Sequence, residues 1–213
     1  MDVFVRSAMK TIRETVYVKY DTSLEETLEI LKERQIDGVP VIQEGKYKGI
    51  VTFNRIYRTF FKSEMTDKAQ FLKETKAGDI AYQKDVTVDK EAVFETTLLI
   101  VNDAPLVAVV DEKDECIGII TRADILDQFQ SAFGMRKTGV RIAFASSETE
   151  GRIARLAKIA KSFHENIISL STFDETNQNV RRIVMKIEKK ENIDQFIAKL
   201  EQNGFKVLDI KEM

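Results

Sequence analysis

A hydroxyl and a carboxylate three positions apart, Thr121 and Asp124, are the residues of this chain best suited to binding chemistry. They follow residues 116–120, whose β-branched side chains predict a buried strand, and helical spacing begins at Asp124. The unpaired backbone N–H groups at the start of a helix attract phosphates and other anions. The two oxygens of Asp124 can accept both hydroxyls of a ribose, and the Thr121 hydroxyl can donate to a phosphate oxygen. The same pair also forms an ordinary helix cap, so these residues alone leave open a nucleotide site and a plain helix start.

The stretch that contains Thr121 occurs twice in the chain. Gly-Ile-Val-Thr at 49–52 matches Gly-Ile-Ile-Thr at 118–121, a separation of 69 positions, and the strand and helix patterns upstream match at 70. Each copy has the order strand, helix, strand, strand, helix, and Ser23 with Glu26 predicts the cap of the first helix. A unit of this size buries too little apolar surface to be stable alone. We therefore expect the copies to pack against each other.

This repeat, with Gly-x-x-Thr-x-x-Asp after its last strand, resembles the CBS domain over residues 1–134. The resemblance implies a Bateman module, with repeats at 1–66 and 67–134, that binds an adenosine-containing ligand in clefts between the copies. AMP, ADP, ATP or cyclic di-AMP is the expected ligand, and no metal is expected. The segments before the first strand of each copy, residues 2–10 and 78–82, are implied to contribute to the clefts. The residues expected to contact the ligand are Thr121, Asp124, Arg122, Asp103, Ala104, Pro105, Thr52, Arg55, Val39, Pro40, Ile80 and Ala81.

Pro105 stops the helix before it, and the small side chain of Ala104 leaves the neighbouring backbone open. Main-chain groups there could read the edge of an adenine. A plain helix stop is the alternative.

Arg55 stands where the first copy should carry the counterpart of Asp124. A guanidinium has only donors, so it cannot accept hydrogen bonds from a ribose. Its fork suits a phosphate, and we hypothesise that the first cleft favours a polyphosphate or a dinucleotide over adenosine. A solvated surface arginine is the alternative.

A different pattern follows Gly134 and Gly139. Strands are predicted at 140–145, 167–173, 180–187 and 205–210, and helices at 149–163 and 193–202, with Ile153, Leu156, Ala160 and Phe163 as the buried stripe of the first. The order βαββαβ is that of the ferredoxin-like fold, an antiparallel sheet with both helices on one face. The unit is similar to an ACT domain over 139–213. That resemblance implies an effector site at Ser147, Glu150 and Gly151, although the glycine could equally relieve crowding at a helix start.

The composition narrows the function classes. The net charge of −2 gives no general attraction to nucleic acid or to an anionic membrane. The single cysteine, Cys116, excludes a disulfide within the chain and suits a reducing compartment. Residues 1–6 lack the apolar region typical of a signal peptide, so none is expected, and no apolar run in the sequence approaches membrane-spanning length. The sequence therefore predicts a cytoplasmic protein with no nucleic-acid or membrane partner.

The fold class predicted is mixed α/β (α+β), with a pair of CBS repeats followed by a ferredoxin-like ACT domain. No activated nucleophile or general base can be named, which predicts a non-catalytic protein. The domain order resembles that of acetoin-utilisation-type proteins and of bacterial CBS-ACT proteins that bind cyclic di-AMP. It implies a regulatory sensor of an adenine nucleotide, a homodimer acting on an unknown protein, with a possible second effector at the ACT domain. An adaptor between proteins, using the same folds without a ligand, is the alternative.

Overall fold

In the computed structural model, the described residues are 4–101, 104–147, 149–174 and 180–213, and they form two compact units. The first unit is Met1–Leu126 and the second is Asp127–Met213. Each unit contains its own cluster of buried apolar side chains.

The first copy of the repeat follows a short strand, β1 (Lys10–Thr11). Its elements are β2 (Val18–Lys19), α1 (Leu24–Glu33), β3 (Gly38–Gln43), β4 (Lys46–Thr52) and α2 (Phe53–Lys62). The sheet order is β2-β3-β4, parallel between β2 and β3 and antiparallel between β3 and β4. The predicted cap is confirmed, because the Ser23 hydroxyl accepts from the Glu26 N–H at 3.2 Å. Helix α1 then buries Leu24 and Leu31 completely.

The second copy follows two connecting helices, α3 (Lys68–Glu74) and α4 (Ala77–Ile80). Its elements are β5 (Thr87–Asp89), α5 (Thr97–Ile100), β6 (Leu106–Val110), β7 (Cys116–Thr121) and α6 (Arg122–Ala132). The predicted strand and helix order is confirmed. Helix α5 is shorter than its counterpart α1, since a 3-10 turn, Phe94–Thr96, replaces its start. The Thr97 hydroxyl donates to the Phe94 carbonyl at 2.6 Å, and such local bonds compete with regular helix formation.

The copies exchange their entry segments. We use this term for residues 10–12, before the first copy, and 80–82, before the second. Strand β1 pairs with β7 of the second copy, and Tyr82 bridges to Ile50 in β4 of the first. A Cβ at Gly118 would lie 2.3 Å from the Lys10 carbonyl oxygen, and one at Gly49 would lie 2.6 Å from that of Tyr82. The repeated glycine is thus required by the close approach of the other copy's entry segment, which makes the two copies one packed unit.

The second unit confirms the predicted ferredoxin-like order. Its elements are β8 (Val140–Ser147), α7 (Arg152–Ser162), β9 (Ile167–Asp174), β10 (Val180–Ile187), α8 (Ile193–Gln202) and β11 (Lys206–Glu212). Among the described residues the sheet order is β11-β8-β10-β9, with antiparallel pairings. Apolar residues of both helices pack in one core with alternate residues of the strands. Ile153 was predicted to be buried but is 38% exposed, because it lies at the edge of the stripe formed by Leu156 and Ala160.

Candidate functional site

The largest set of predicted ligand contacts lines a cavity of about 410 Å³ in the first unit, here named the Thr121 cavity. Its volume lies within the range of about 300–1,000 Å³ that small-molecule sites occupy. Both copies and the first entry segment contribute to its wall. The lining includes Lys10, Thr15, Ile36, Asp37, Gly38, Pro40, Pro105, Leu106, Ile119, Thr121 and Arg122.

Thr121 ends β7, and together with Asp124 it caps α6. The Asp124 carboxylate accepts from the Thr121 hydroxyl at 2.5 Å and from the Thr121 N–H at 3.0 Å. The Asp124 N–H in turn donates to the Thr121 hydroxyl oxygen at 3.2 Å. This reciprocal arrangement is a capping box. The helix-cap interpretation of the pair is therefore realised, while the predicted ribose role of Asp124 stays a prediction.

The second carboxylate oxygen of Asp124 faces Lys10. The Lys10 ammonium lies 3.0 Å from Asp124 Oδ1. Lys10 also lines the Thr121 cavity. Burial alone would raise the pKa of Asp124, but hydrogen bonds from Thr121 and Lys10 outweigh it and hold the pKa below its ordinary 3.8. Asp124 is thus a carboxylate at neutral pH, which is the form that can accept hydroxyl hydrogens.

Arg122 fixes the backbone on the second-copy side of the cavity. Its Nε donates to the Val101 carbonyl and its Nη2 to the Ala104 carbonyl, both at 3.1 Å. The backbone N–H of Arg122 also donates to the Pro105 carbonyl at 3.0 Å. The carbonyl of Ala104, which the sequence offered for reading an adenine edge, is thus engaged by Arg122. Asp103, a further predicted contact, lies outside the described residues.

The equivalent region of the first copy holds a smaller cavity of about 120 Å³, here named the Thr52 cavity. Its lining residues are Thr52, Asn54, Arg55, Arg58 and Tyr82. The Thr52 hydroxyl accepts from the backbone N–H of Arg55 at 3.1 Å. The Arg55 side chain crosses the cleft, donating from Nε to the Ile80 carbonyl at 2.6 Å, and its guanidinium carbon lies 5.5 Å from the centre of the Tyr82 ring.

The predicted contacts therefore separate into groups. Thr121, Arg122, Pro105 and Pro40 line the Thr121 cavity, and Thr52 and Arg55 line the Thr52 cavity. The side chains of Val39, Ile80, Ala81 and Ala104 are buried in the apolar cores.

Sequence reasoning missed the role of Lys10 and of the turn Asp37-Gly38 in the cavity wall. The resemblance implied a contribution from the segment before the first strand, but it indicated no single residue of that segment.

The predicted effector residues of the second unit surround the start of α7. Gly151 precedes the helix with φ of 74°, in the left-handed region that glycine favours, and a Cβ there would meet no neighbouring atom. The Ser147 carbonyl accepts from Nη1 of the buried Arg152 at 3.2 Å, and Glu150 is exposed. The effector role of these residues stays a prediction.

Cys116 lies in the core of the first unit with 6% of its surface exposed. Burial raises the pKa of its thiol, which disfavours the thiolate that a nucleophile requires. In the part of the chain that the structure describes, no cluster of three or more His, Cys, Asp or Glu could hold a metal ion. Within those same residues no helix is both long and apolar enough to cross a bilayer.

Comparisons with known proteins identify the family. The CBS domain model matches residues 5–62 and 77–131, more than half of the chain. Among curated relatives, the inosine-5'-monophosphate dehydrogenase of Methanocaldococcus jannaschii is 24% identical over 198 residues, which cover 92% of this chain and 36% of that enzyme. The chain thus spans about a third of that relative's length.

Two solved structures share the fold at low identity. CBSX2 in complex with AMP is 24% identical with a TM-score of 0.51, covering 60% of this chain and 96% of that one. CbpB of Listeria monocytogenes in complex with c-di-AMP is 22% identical with a TM-score of 0.51, covering 58% of this chain and 92% of that one. The match of the family model shows that the chain belongs to the CBS-domain family.

Proposed function

We propose that the protein is a non-catalytic regulatory sensor that binds an adenine nucleotide in the Thr121 cavity. The observation that carries the proposal is the position of the cavity at the start of α6, beside Thr121 and Arg122. The Asp124 carboxylate is one hydrogen bond away from Thr121.

The cavity wall and Asp124 behind it offer a partner for each part of a nucleotide. Asp124 does not itself line the cavity but is hydrogen-bonded to Thr121, which does. Pro40, Pro105 and Leu106 supply apolar surface for the adenine. Asp124 supplies the acceptor for the ribose hydroxyls. Lys10 and Arg122 supply positive charge for the phosphate, next to the backbone N–H groups that begin α6.

The ligands of the structural relatives indicate which nucleotides to test first. CBSX2 was solved with AMP and CbpB with c-di-AMP. AMP and cyclic di-AMP are therefore the leading candidates, with ADP and ATP as longer phosphate chains. We propose no metal and no chemical reaction at this cavity.

The second unit is proposed to be an ACT domain that binds an effector at Ser147, Glu150 and Gly151. Its ferredoxin-like order and the left-handed Gly151 at the start of α7 support this assignment. A homodimer, a regulated partner protein and a cytoplasmic location complete the proposal. Light scattering at micromolar concentration, with and without AMP, tests the dimer, and the mass of a monomer in both conditions would contradict it.

A thermal-shift panel of AMP, ADP, ATP, cyclic di-AMP and S-adenosylmethionine tests the sensor. A ligand that binds only the folded state stabilises it by about 2.7 kcal/mol at one hundred times its Kd. We expect at least one adenine nucleotide to raise the Tm, and chromatography to recover that nucleotide unchanged after incubation. Failure of every nucleotide would favour the adaptor, and consumption of one would favour an enzyme.

A further inference from the structure

The two copies of the repeat differ at one position of an otherwise equivalent helix start. In the first copy the Thr52 hydroxyl accepts from the Arg55 N–H at 3.1 Å, and in the second the Thr121 hydroxyl accepts from the Asp124 N–H at 3.2 Å. The backbone at the two helix starts is therefore alike. The cavities beside them differ, at about 120 Å³ in the first copy and 410 Å³ in the second.

Both side chains at this position contact the entry segment of the other copy, but they do so differently. Asp124 accepts from Thr121 and pairs with the Lys10 ammonium, and it does not line the Thr121 cavity. Arg55 instead reaches across its cleft to the Ile80 carbonyl, 25 residues away in the chain, and lies against the Tyr82 ring. Hydrogen bonds from a charged donor are among the stronger ones in proteins, and the cation–π contact adds to the hold on the guanidinium.

The groups that Arg55 engages are those that a purine would need. A backbone carbonyl can accept from the amino group of an adenine, and an aromatic ring offers a stacking face. The planar guanidinium, with its N–H donors, satisfies both groups from within the chain. Among the described residues, the cavity that Arg55 and Tyr82 line measures about 120 Å³, below the roughly 300 Å³ at which small-molecule sites begin.

We propose that Arg55 closes the first cleft from within, so that each chain takes one nucleotide, in the Thr121 cavity. Arg55 is thus a specificity-determining residue, and it acts by occupying the carbonyl of Ile80 and the ring of Tyr82. This inference rests on the proposed nucleotide binding of the second cleft.

Calorimetric titration with AMP tests the closure in the full chain. The variant is Arg55→Asp, which removes the bridging side chain and provides the carboxylate found at the matching position of the second copy. The control is Arg58→Asp, which makes the same charge change in the lining of the same cavity. We expect one AMP per chain for the wild type and for the control, and a twofold higher stoichiometry for Arg55→Asp.

A wild type that saturates with two AMP molecules, or an Arg55→Asp chain that still binds one, would overturn the closure. Weaker binding without a new site would also overturn it, since Arg55 would then be a phosphate ligand. If the wild type binds no AMP, the proposed function fails. In that case, binding of one AMP by Arg55→Asp would still support the closure, and no AMP binding by Arg55→Asp would overturn it. Should Arg55→Asp fail to melt cooperatively, Arg55→Ser removes the same bridge and is judged by the same stoichiometry.

Discussion

Replacing Asp124 separates its two roles, because an asparagine can keep the helix cap but cannot accept two ribose hydroxyls. In the structure the Asp124 carboxylate accepts from the Thr121 N–H and hydroxyl, and it pairs with Lys10. An Asp124→Asn side chain retains one carbonyl oxygen for the Thr121 N–H. An Asp124→Ala side chain retains no acceptor.

The expected losses of stability follow from these contacts. Loss of a helix cap costs about 1 kcal/mol, within a range of about 0.5–2. The pair with Lys10, whose side chain is 52% exposed, adds no more than about 1 kcal/mol. We therefore expect Asp124→Ala to lower the free energy of unfolding by about 1–2 kcal/mol, and Asp124→Asn by less than about 1 kcal/mol.

The expected losses of affinity are larger and nearly equal. A hydrogen bond to a charged group contributes about 1.5–3 kcal/mol, and about 1.4 kcal/mol changes a Kd tenfold. Each variant should therefore bind AMP at least about tenfold more weakly. The wild type should bind 2'-deoxy-AMP more weakly than AMP, and this preference should vanish in both variants.

Calorimetric titration measures the affinities, and urea unfolding measures the stabilities. Asp124→Asn is the decisive variant, because it should combine near-normal stability with poor binding. Wild-type affinity in Asp124→Asn, or equal binding of AMP and 2'-deoxy-AMP by the wild type, would show that Asp124 is a helix cap and not a ribose ligand.

Three further predictions concern the same unit. Gly118→Ala places a Cβ 2.3 Å from the Lys10 carbonyl oxygen, so overpacking should destabilise the chain by about 1–3 kcal/mol in urea; unchanged stability would contradict the close approach. Lys10→Met should weaken the binding of AMP but not of adenosine, and equal losses in calorimetry would place Lys10 away from the phosphate. Because the pKa of Asp124 is lowered, its contribution to stability is present above about pH 4 and is lost as the pH falls through the lowered value. Urea titrations across that interval should show a smaller loss in Asp124→Asn, and identical losses would exclude the effect.

Local patterns in the sequence predicted the elements of this fold. The repeat of Gly-x-x-Thr, the Ser23 cap of α1 and the βαββαβ order of the second unit were all recoverable, because each depends on residues close together in the chain. The shortened α5 was not predicted, since the local bond from Thr97 to the Phe94 carbonyl interrupts an apolar spacing that looks helical. The boundaries of the domains and the ligand-contact roles stay predictions.

Only the tertiary structure decided how the repeats meet and which groups the Arg55 side chain contacts. The glycines at 49 and 118 were visible as a motif, but their reason lies in the entry segment of the other copy. The pair of Lys10 with Asp124 and the bond of Arg55 to the Ile80 carbonyl join residues that are distant in sequence. Sequence alone determined that Arg55 cannot accept from a ribose. Where its side chain goes depends on the packing of the exchanged segments, which no local pattern encodes.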